Sequence, residues 1–246
     1  MKKIIRIELL LLLTILAATP ILAADKTTPY PDPKNEAAWP GHGPIRAFDY
    51  MKGERAAFWN LREKDQGAVV FVGDSLIGGW KSLSKMFPGL KVANRGVGGD
   101  VTRGVLFRFK EDVLDLKPRA VVINVGFNDL TAHGEPKFAE ENIATMLAQA
   151  WEQNPEMPIV LCTIPPRDAP QAPMKPGMRE DLNARFTKLA EGKPHLLVLD
   201  MIPPFTDADG KPKPEFFAKD HVHLVEAGYE KWAEVLKPAL EKMGVK

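Results

Sequence analysis

Short, nearly continuous apolar runs alternate with longer amphipathic segments from about residue 64 onward. The runs predict five buried strands, at residues 68–72, 90–93, 120–125, 159–164 and 196–199. Strands that are apolar on both faces are typical of a parallel sheet covered on both sides. The chain is therefore expected to form a five-stranded parallel sheet.

Apolar residues recur every three or four positions between these runs, which predicts helices. A polar, amphipathic stretch predicts an earlier helix from residue 45 to about 63. The later helices are marked by Val105, Phe109, Val113 and Leu116, by Ile143, Met146, Leu147 and Ala150, by Met178, Leu182, Phe186 and Leu189, and by Val225, Tyr229, Trp232 and Leu236. Alternating strands and helices predict an α/β fold, a three-layer α/β/α sandwich. Functional residues in such sheets collect beyond the carboxyl ends of the strands.

The N-terminal part of the chain has a different character. Lys2, Lys3 and Arg6 precede an apolar stretch and then small residues near positions 23 and 24, the order found in secretory signal peptides. We therefore predict a signal peptide at 1–24, a lead-in segment with a helix at 25–63, and a single α/β domain at 64–246. Cleavage would give an exported protein, periplasmic or extracellular, with no stable membrane insertion. A retained N-terminal anchor is the alternative.

Charge and cysteine content narrow the function further. The 33 basic and 32 acidic residues give a net charge of +1, so there is no electrostatic reason to expect a nucleic-acid partner. The only cysteine, Cys162, lies in an apolar run and is predicted to be a buried thiol and not a nucleophile. The fold must then be stable without an intramolecular disulfide.

A serine follows the first predicted strand in the motif Gly73-Asp74-Ser75-Leu76. At the start of the next helix, Ser75 would lie beside free backbone N–H groups and a positive dipole end, which suit an oxyanion. The alternative is structural, because Asp or Ser after a strand commonly caps the following helix.

Glycines and an asparagine follow the next two predicted strands. Gly96, Gly98 and Gly99 allow close approach of the backbone to a ligand, and a flexible turn is the alternative. A dinucleotide-binding loop does not fit, because its third glycine would fall at Val101. Asn128 offers an amide donor just past the third strand, where an Asx-turn or a helix cap is the alternative.

Near the C-terminus, Asp220 precedes His223 by three residues. This spacing allows the carboxylate to contact one ring nitrogen while the other faces a substrate. A solvated loop is one alternative. A zinc site using His221 and His223 is another, although it lacks a third ligand.

Together these motifs supply the parts that acyl transfer requires. A serine hydroxyl needs a base to remove its proton, the base needs a partner that fixes its tautomer, and the developing oxyanion needs preorganised donors. The order along the chain is nucleophile, donor, donor, acid and base.

The same segments match the blocks that define the SGNH/GDSL hydrolase superfamily, which this chain therefore resembles. The chain is also similar to the catalytic subunits of the intracellular platelet-activating-factor acetylhydrolases, over roughly residues 69–240. The resemblance rests on Gly73-Asp74-Ser75-Leu76, Gly96-Val97-Gly98-Gly99-Asp100, Val105-Leu106-Phe107-Arg108, Gly126-Phe127-Asn128-Asp129 and Asp220-His221-Val222-His223.

The resemblance implies a flavodoxin-like SGNH hydrolase domain at 64–246 that needs no metal or organic cofactor. It implies Ser75 as nucleophile, His223 as base and Asp220 as the partner of the base. The implied oxyanion hole consists of the N–H groups of Ser75 and Gly99 and the side chain of Asn128. Residues 1–63 are expected to have no counterpart in the intracellular acetylhydrolases, which argues against a lipid mediator as the substrate.

The predicted substrate is a small-molecule or glycan ester, with an O-acetyl group on carbohydrate ranked first. Aromatic residues predicted near the site, Trp80 and Phe127, suit a sugar. A lysophospholipase or general short-acyl esterase is the alternative, and a non-catalytic glycan-binding module is the alternative of another class. Arg95, Arg103 and Arg108 are expected to be solvated, with contact to an anionic substrate as their alternative role. The proline-rich residues 164–180 are expected to form one wall of the pocket.

Overall fold

Five parallel strands form one sheet in residues 27–246, the part of the chain that the computed structural model describes. The strand order β2-β1-β3-β4-β5 is that of flavodoxin-like folds. The strands are β1 (Val69–Gly73), β2 (Val92–Gly96), β3 (Ala120–Asn124), β4 (Ile159–Cys162) and β5 (Leu196–Leu199). The predicted fold class is confirmed.

Helices cover both faces of the sheet. They are α1 (Asp49–Leu61), α2 (Ser75–Gly78), α3 (Leu83–Met86), α4 (Thr102–Asp112), α5 (Phe127–Thr131), α6 (Pro136–Gln153), α7 (Met178–Leu189), α8 (Ile202–Phe205) and α9 (Glu226–Lys242). Val70 and Val72 of β1 share one buried cluster with α4, α6 and α7, whereas Val69 and Phe71 share another with α2, α3, α8 and α9. Alternate residues of each strand thus pack against opposite layers, which explains the continuous apolar runs.

Strand β2 begins and ends two to three residues later than the predicted range 90–93. Its polar residues are accommodated because each has partners inside the protein. The Asn94 amide donates to the Ile77 carbonyl at 2.6 Å, and Arg95 pairs with Asp65 at 2.7 Å. A hydrophobicity pattern alone does not identify such residues as part of a buried strand.

The expectation that Arg95, Arg103 and Arg108 are solvated is wrong, because their exposed fractions are 1%, 3% and 0%. Arg95 is neutralised by Asp65, as described above, and Arg108 by Asp100 at 2.8 Å. Arg103 donates to backbone carbonyls of the segment that precedes α1. All three therefore join parts of the fold, and none faces solvent.

Residues 27–48 lie against α4 and α6. Trp39 is 5% exposed and stacks with Tyr30 beside Phe107 of α4, and Asn142 of α6 exchanges hydrogen bonds with the backbone of His42. The predicted helix of this region begins at Asp49, four residues later than expected. This segment is an ordered part of the fold and reaches the glycine loop after β2, where Arg46 donates to the carbonyl of Gly99 at 3.4 Å.

The predicted signal peptide at 1–24 lies outside the described residues, so it stays a prediction. None of the helices within 27–246 combines the length and the apolar character that crossing a bilayer requires.

Candidate active site

The serine motif forms a tight turn at the end of β1. Gly73 is required there, because a Cβ atom at this position would lie 1.9 Å from the carbonyl oxygen of Asn124 in β3. Asp74 then caps α2 by accepting the N–H of Leu76 at 3.0 Å, and Ser75 is the first residue of that helix. The motif therefore has both of the roles considered for it, in adjacent residues. Asp74 caps the helix, and the half-buried Ser75 faces the site.

The structure brings together the three predicted residues of the triad. His223 Nε2 lies 2.9 Å from Ser75 Oγ, and His223 Nδ1 lies 2.6 Å from Asp220 Oδ2. The serine and the histidine are 148 positions apart in the chain. A hydroxyl in contact with an imidazole, which in turn contacts a carboxylate, is the arrangement that activates a serine for attack.

One turn holds the acid and the base together. Asp220 Oδ1 accepts the N–H groups of Val222 and His223, each at 2.9 Å, and Ala218 N–H donates to the carbonyl of His223 at 2.8 Å. Partial desolvation raises the pKa of Asp220, but the hydrogen bonds from His223 and Val222 outweigh it and lower this pKa to about 2. Asp220 is therefore an anion throughout the neutral range, and its negative charge fixes the orientation of the imidazole.

The three implied oxyanion donors lie at the ends of three neighbouring strands. Within the described chain, the N–H groups of Ser75 and Gly99 have no protein acceptor. The Asn128 amide donates one hydrogen to the carbonyl of Asp100 at 2.9 Å, which fixes its orientation and leaves its second hydrogen free. Such preoriented and unused donors can stabilise negative charge on a carbonyl oxygen.

A buried ion-pair network supports the glycine loop. Arg108 Nε lies 2.8 Å from Asp100 Oδ2, and its NH groups donate to the carbonyls of Arg95 at 2.9 Å and Gly73 at 3.1 Å. Arg108 and Asp100 are both fully buried. Desolvation raises the pKa of Asp100 to about 6, although Arg108 opposes this shift. Arg108 thus joins the ends of β1 and β2 to the loop that carries Gly99.

A second buried carboxyl, that of Asp129, holds the start of α4. It accepts both the N–H of Thr102 at 2.9 Å and the Thr102 hydroxyl at 2.6 Å. Desolvation raises the pKa of Asp129 to about 7, against the lowering effect of these bonds. Asp129 therefore fixes the helix that follows the glycine loop, next to the Asn128 donor.

The GDSL-like Lipase/Acylhydrolase family model matches residues 71–231, which include the nucleophile turn, the glycine loop and the acid–base turn. The chain belongs to this family. As a GDSL-like acylhydrolase it is an ester-hydrolysing enzyme with an α/β fold.

Curated relatives of this GDSL-like enzyme include platelet-activating factor acetylhydrolase IB subunit alpha1 of Homo sapiens. That protein is 28% identical over 216 residues, covering 84% of each chain. The alpha2 subunit of Rattus norvegicus is 29% identical over 184 residues, covering 70% of this chain and 74% of its own. A crystal structure of a GDSL-like lipase from Bacteroides thetaiotaomicron superposes with a TM-score of 0.67 at 27% identity, covering 79% of this chain and 99% of that one.

The extent of these matches corrects one expectation about the GDSL-like enzyme. An alignment over 84% of the chain is longer than residues 64–246, so part of the segment 25–63 has a counterpart in the alpha1 subunit. The expectation that residues 1–63 have none is wrong for that part. The lead-in segment therefore does not by itself argue against a substrate like that of the acetylhydrolases.

The aromatic residues of the GDSL-like enzyme differ in part from expectation. Trp80 is 1% exposed and stacks on Trp232 in the core, so it does not line the site. Phe127 is at the site but lies beneath the Arg167 guanidinium, 3.8 Å from its ring centroid. The loop that carries Arg167 was predicted to form a pocket wall, but Arg167 itself was not singled out from the sequence.

Two further aromatic residues of the GDSL-like enzyme, Phe48 and Tyr50, flank the glycine loop. They are 45% and 53% exposed and stack with their ring centroids 5.6 Å apart. The Tyr50 hydroxyl donates to the carbonyl of Gly98 at 2.8 Å. The sequence singled out neither residue as part of the site, because the spacing within a predicted helix does not show that Tyr50 contacts a loop 48 positions away.

The remaining expectations concern the thiol and the metal. Cys162 is fully buried, and burial raises the pKa of its thiol to about 12, which is consistent with the predicted packing role. Between Thr27 and Lys246, no group of three or more His, Cys, Asp or Glu side chains is arranged to hold a metal ion.

Proposed function

We propose that this enzyme hydrolyses acetyl and other short-chain esters, chiefly O-acetyl groups on carbohydrate, through an acyl intermediate on Ser75. The observation that carries the mechanism is the continuous contact from Asp220 through His223 to Ser75, with distances of 2.6 Å and 2.9 Å. The acetyl preference is supported by the named relatives, which are acetylhydrolases.

In the first half of the reaction, Ser75 Oγ attacks the ester carbonyl carbon while His223 Nε2 accepts its proton. The carbonyl oxygen becomes an oxyanion and accepts hydrogen bonds from the N–H groups of Ser75 and Gly99 and from the Asn128 amide. When the C–O bond breaks, His223 returns the proton to the leaving alcohol. Asp220 stabilises the imidazolium that forms in between.

In the second half, a water molecule gives a proton to His223 and attacks the acyl carbon. The same three donors receive the oxyanion again. Breaking of the bond to Ser75 Oγ releases the carboxylic acid, and His223 returns a proton to the serine. The net reaction is the addition of one water molecule to one ester.

The role of Asp220 predicts a strong effect without loss of the fold. Asp220→Asn should lower kcat by about 10⁴-fold, because an amide neither fixes the correct tautomer nor stabilises the imidazolium. Ionisation of Asp220 should contribute nothing to the pH dependence of kcat/KM above pH 4, because its pKa of about 2 already leaves it an anion there. Initial rates on a p-nitrophenyl acetate series across pH 4 to 9 measure both effects.

Asp168→Asn is the matched control, because Asp168 is an exposed aspartate on the neighbouring loop. It should leave kcat within about twofold of wild type, as expected of a surface change. A nearly unchanged rate for Asp220→Asn would remove this residue from the mechanism.

The surroundings of the triad support a short acyl group. The side chains of His223 and Asp220 are 46% and 44% exposed, so the reacting atoms lie at an open edge of the fold. Binding a long acyl chain requires burial of each methylene, worth about 0.8 kcal/mol, and an open edge provides little of that burial.

The aromatic pair Phe48 and Tyr50 supports carbohydrate as the leaving group. A Cβ atom on Gly99 would lie 2.9 Å from the Tyr50 hydroxyl and 3.3 Å from the Phe48 ring, so the pair borders the oxyanion loop directly. Large, stacked and exposed aromatic faces are suited to the C–H face of a sugar ring. The export proposed from the signal peptide at 1–24 would bring the enzyme to extracytoplasmic glycans, and N-terminal sequencing of the mature protein tests that cleavage.

This assignment predicts a selective effect of Phe48→Ala. KM for acetylated methyl glycosides should rise about fivefold with kcat unchanged, because ring stacking of about 1 kcal/mol is lost only with a sugar. KM for a small ester such as ethyl acetate should change little. Leu61→Ala, which alters an exposed apolar residue at the other end of α1, is the control and should affect neither substrate.

The alternative function is hydrolysis of lysophospholipids or of short acyl esters in general. A panel of acetylated sugars, lysophosphatidylcholine and p-nitrophenyl esters of increasing chain length separates these activities. Faster turnover of lysophosphatidylcholine than of every acetylated sugar would replace the carbohydrate proposal with the lysophospholipase one.

A further inference from the structure

Arg167 occupies a distinctive position beside the triad. It lies in the loop between β4 and α7, and its guanidinium stacks 3.8 Å from the centroid of the Phe127 ring. Phe127 immediately precedes the Asn128 donor. The Arg167 charge acts on the carboxyl groups of Asp74 and Asp220, on either side of the Ser75–His223 contact. The guanidinium is thus near the reacting atoms.

Within the described residues, Arg167 has no ion-pair partner and forms no hydrogen bond, and its Nε atom is buried. The other arginines that support the site are neutralised: Arg55 by Asp112 at 3.1 Å, and Arg95 and Arg108 by the carboxylates described above. Desolvation lowers the pKa of Arg167 to about 10, so it remains a cation at neutral pH. A half-buried guanidinium whose N–H groups have no acceptor in the protein can offer them to a ligand.

The surroundings of Arg167 favour an anion. Arg167 and Phe127 line a cleft of about 230 Å³ together with Lys175, Arg179 and Glu180. Glu180 is the single acidic residue of this lining and pairs with Arg179. The cleft therefore presents two cations, Arg167 and Lys175, that its own carboxylate does not balance.

The loop that carries Arg167 is tied to the acid–base turn, because the Gln171 amide donates to the carbonyl of Asp220. The predicted pocket wall at 164–180 therefore borders the triad. A substrate group in the cleft would lie beside Phe127, which is the residue before the Asn128 donor.

We propose that Arg167 binds a negatively charged substituent of the ester substrate, a carboxylate or a phosphate, in the cleft beside Phe127. The planar guanidinium, oriented by the ring, suits two parallel N–H···O bonds to such a group. This proposal rests on the proposed esterase function and adds the charge of its substrate. On the carbohydrate assignment, it favours acetylated sugars that carry a uronic acid.

The test compares two aryl acetates that differ in one charge, 3-acetoxybenzoate and its methyl ester, on wild type, Arg167→Met and Arg167→Lys. Arg167→Met should lower kcat/KM for the anionic ester about 10- to 100-fold, mainly through KM, and change the neutral ester by no more than about twofold. Arg167→Lys should lose less of the kcat/KM for the anionic ester than Arg167→Met does, because lysine keeps the positive charge but cannot form the two parallel N–H···O bonds of a guanidinium. The ratio of variant to wild type cancels the different intrinsic reactivities of the two esters.

Arg62→Met is the matched control, because Arg62 also stacks on an aromatic ring, that of Trp59 at 4.1 Å, but lies away from the triad. It should affect both esters equally and weakly. Equal losses on both esters in Arg167→Met would overturn the proposal and make Arg167 a counter-charge for Asp74 and Asp220. The proposal would also be overturned if the ratio of kcat/KM for the anionic ester to that for the neutral ester were the same in the wild type and in all variants.

Two further substrate pairs identify the source of the anion. One pair is an acetylated methyl glucuronide and the matching acetylated methyl glucoside; the other is lysophosphatidic acid and monoacylglycerol. A selective Arg167→Met defect in the first pair supports a carboxylate on sugar, and one in the second supports a phosphate on lipid. If the enzyme hydrolyses the aryl esters but none of these four substrates, the carbohydrate proposal is rejected. The effect of Arg167→Met on the two aryl esters can still be interpreted in that case.

Discussion

Ser75→Ala is expected to lower kcat on acetyl esters by about 10⁴- to 10⁶-fold while the protein stays folded. The variant keeps the donors of Gly99 and Asn128 and the intact acid–base turn, but it has no atom to form the acyl intermediate. A residual rate above that in water should remain, because donors and binding alone still stabilise the transition state. Steady-state kinetics and labelling with a fluorophosphonate, followed by mass spectrometry, measure the loss.

Ser82→Ala is the matched control. Ser82 is also half-buried and hydrogen-bonded, but its partner is Glu226 at 3.0 Å and not the triad histidine. This variant should label and turn over like the wild type. Fluorophosphonate labelling of Ser75→Ala at the wild-type rate would mean that another residue is the nucleophile.

Arg108→Met is expected to lower the free energy of unfolding by about 3–5 kcal/mol. The substitution keeps an apolar side chain of similar length but leaves the carboxyl of Asp100 buried without its cation. It also removes the donors to the carbonyls of Gly73 and Arg95. These carbonyls lie at the carboxyl ends of β1 and β2, next to the nucleophile turn and the glycine loop. Activity should therefore fall together with stability. Urea denaturation followed by tryptophan fluorescence measures the change.

Arg185→Met is the control for the loss of an arginine with carboxylate partners. Arg185 pairs with Glu140 at 2.7 Å and Asp181 at 2.9 Å, yet its side chain is 36% exposed. Its removal should cost less than about 1 kcal/mol, as is usual for surface pairs. Equal losses in the two variants would show that burial of the Arg108 network contributes nothing special.

Most of the fold could be predicted from the sequence because its signals are local. Strand runs, helical spacing and the turn residues after each strand are features of a few consecutive residues. The same holds for the nucleophile turn, where Asp74 and Ser75 stand side by side. Strand β2 departs from prediction for a physical reason: Asn94 and Arg95 satisfy their polar groups inside the protein, so hydrophobicity underestimates the strand.

The parts that sequence reasoning missed depend on contacts between distant segments. Arg108 resembles any helix arginine until the fold brings Asp100 and two strand ends to it. Phe48 and Tyr50 acquire their position from a loop that follows β2, and Arg167 from a ring that follows β3. Their chemistry was visible in the sequence, but their surroundings were not, because sequence spacing does not report which segments meet.

The turn that holds Asp220 and His223 has a consequence for how the enzyme loses activity. Both residues belong to one short hydrogen-bonded unit, whereas the nucleophile and the oxyanion donors belong to the sheet edge. Any displacement of that unit would carry acid and base away together, so activity would be lost when the imidazole separates from the serine oxygen, while the contact between Asp220 and His223 is kept.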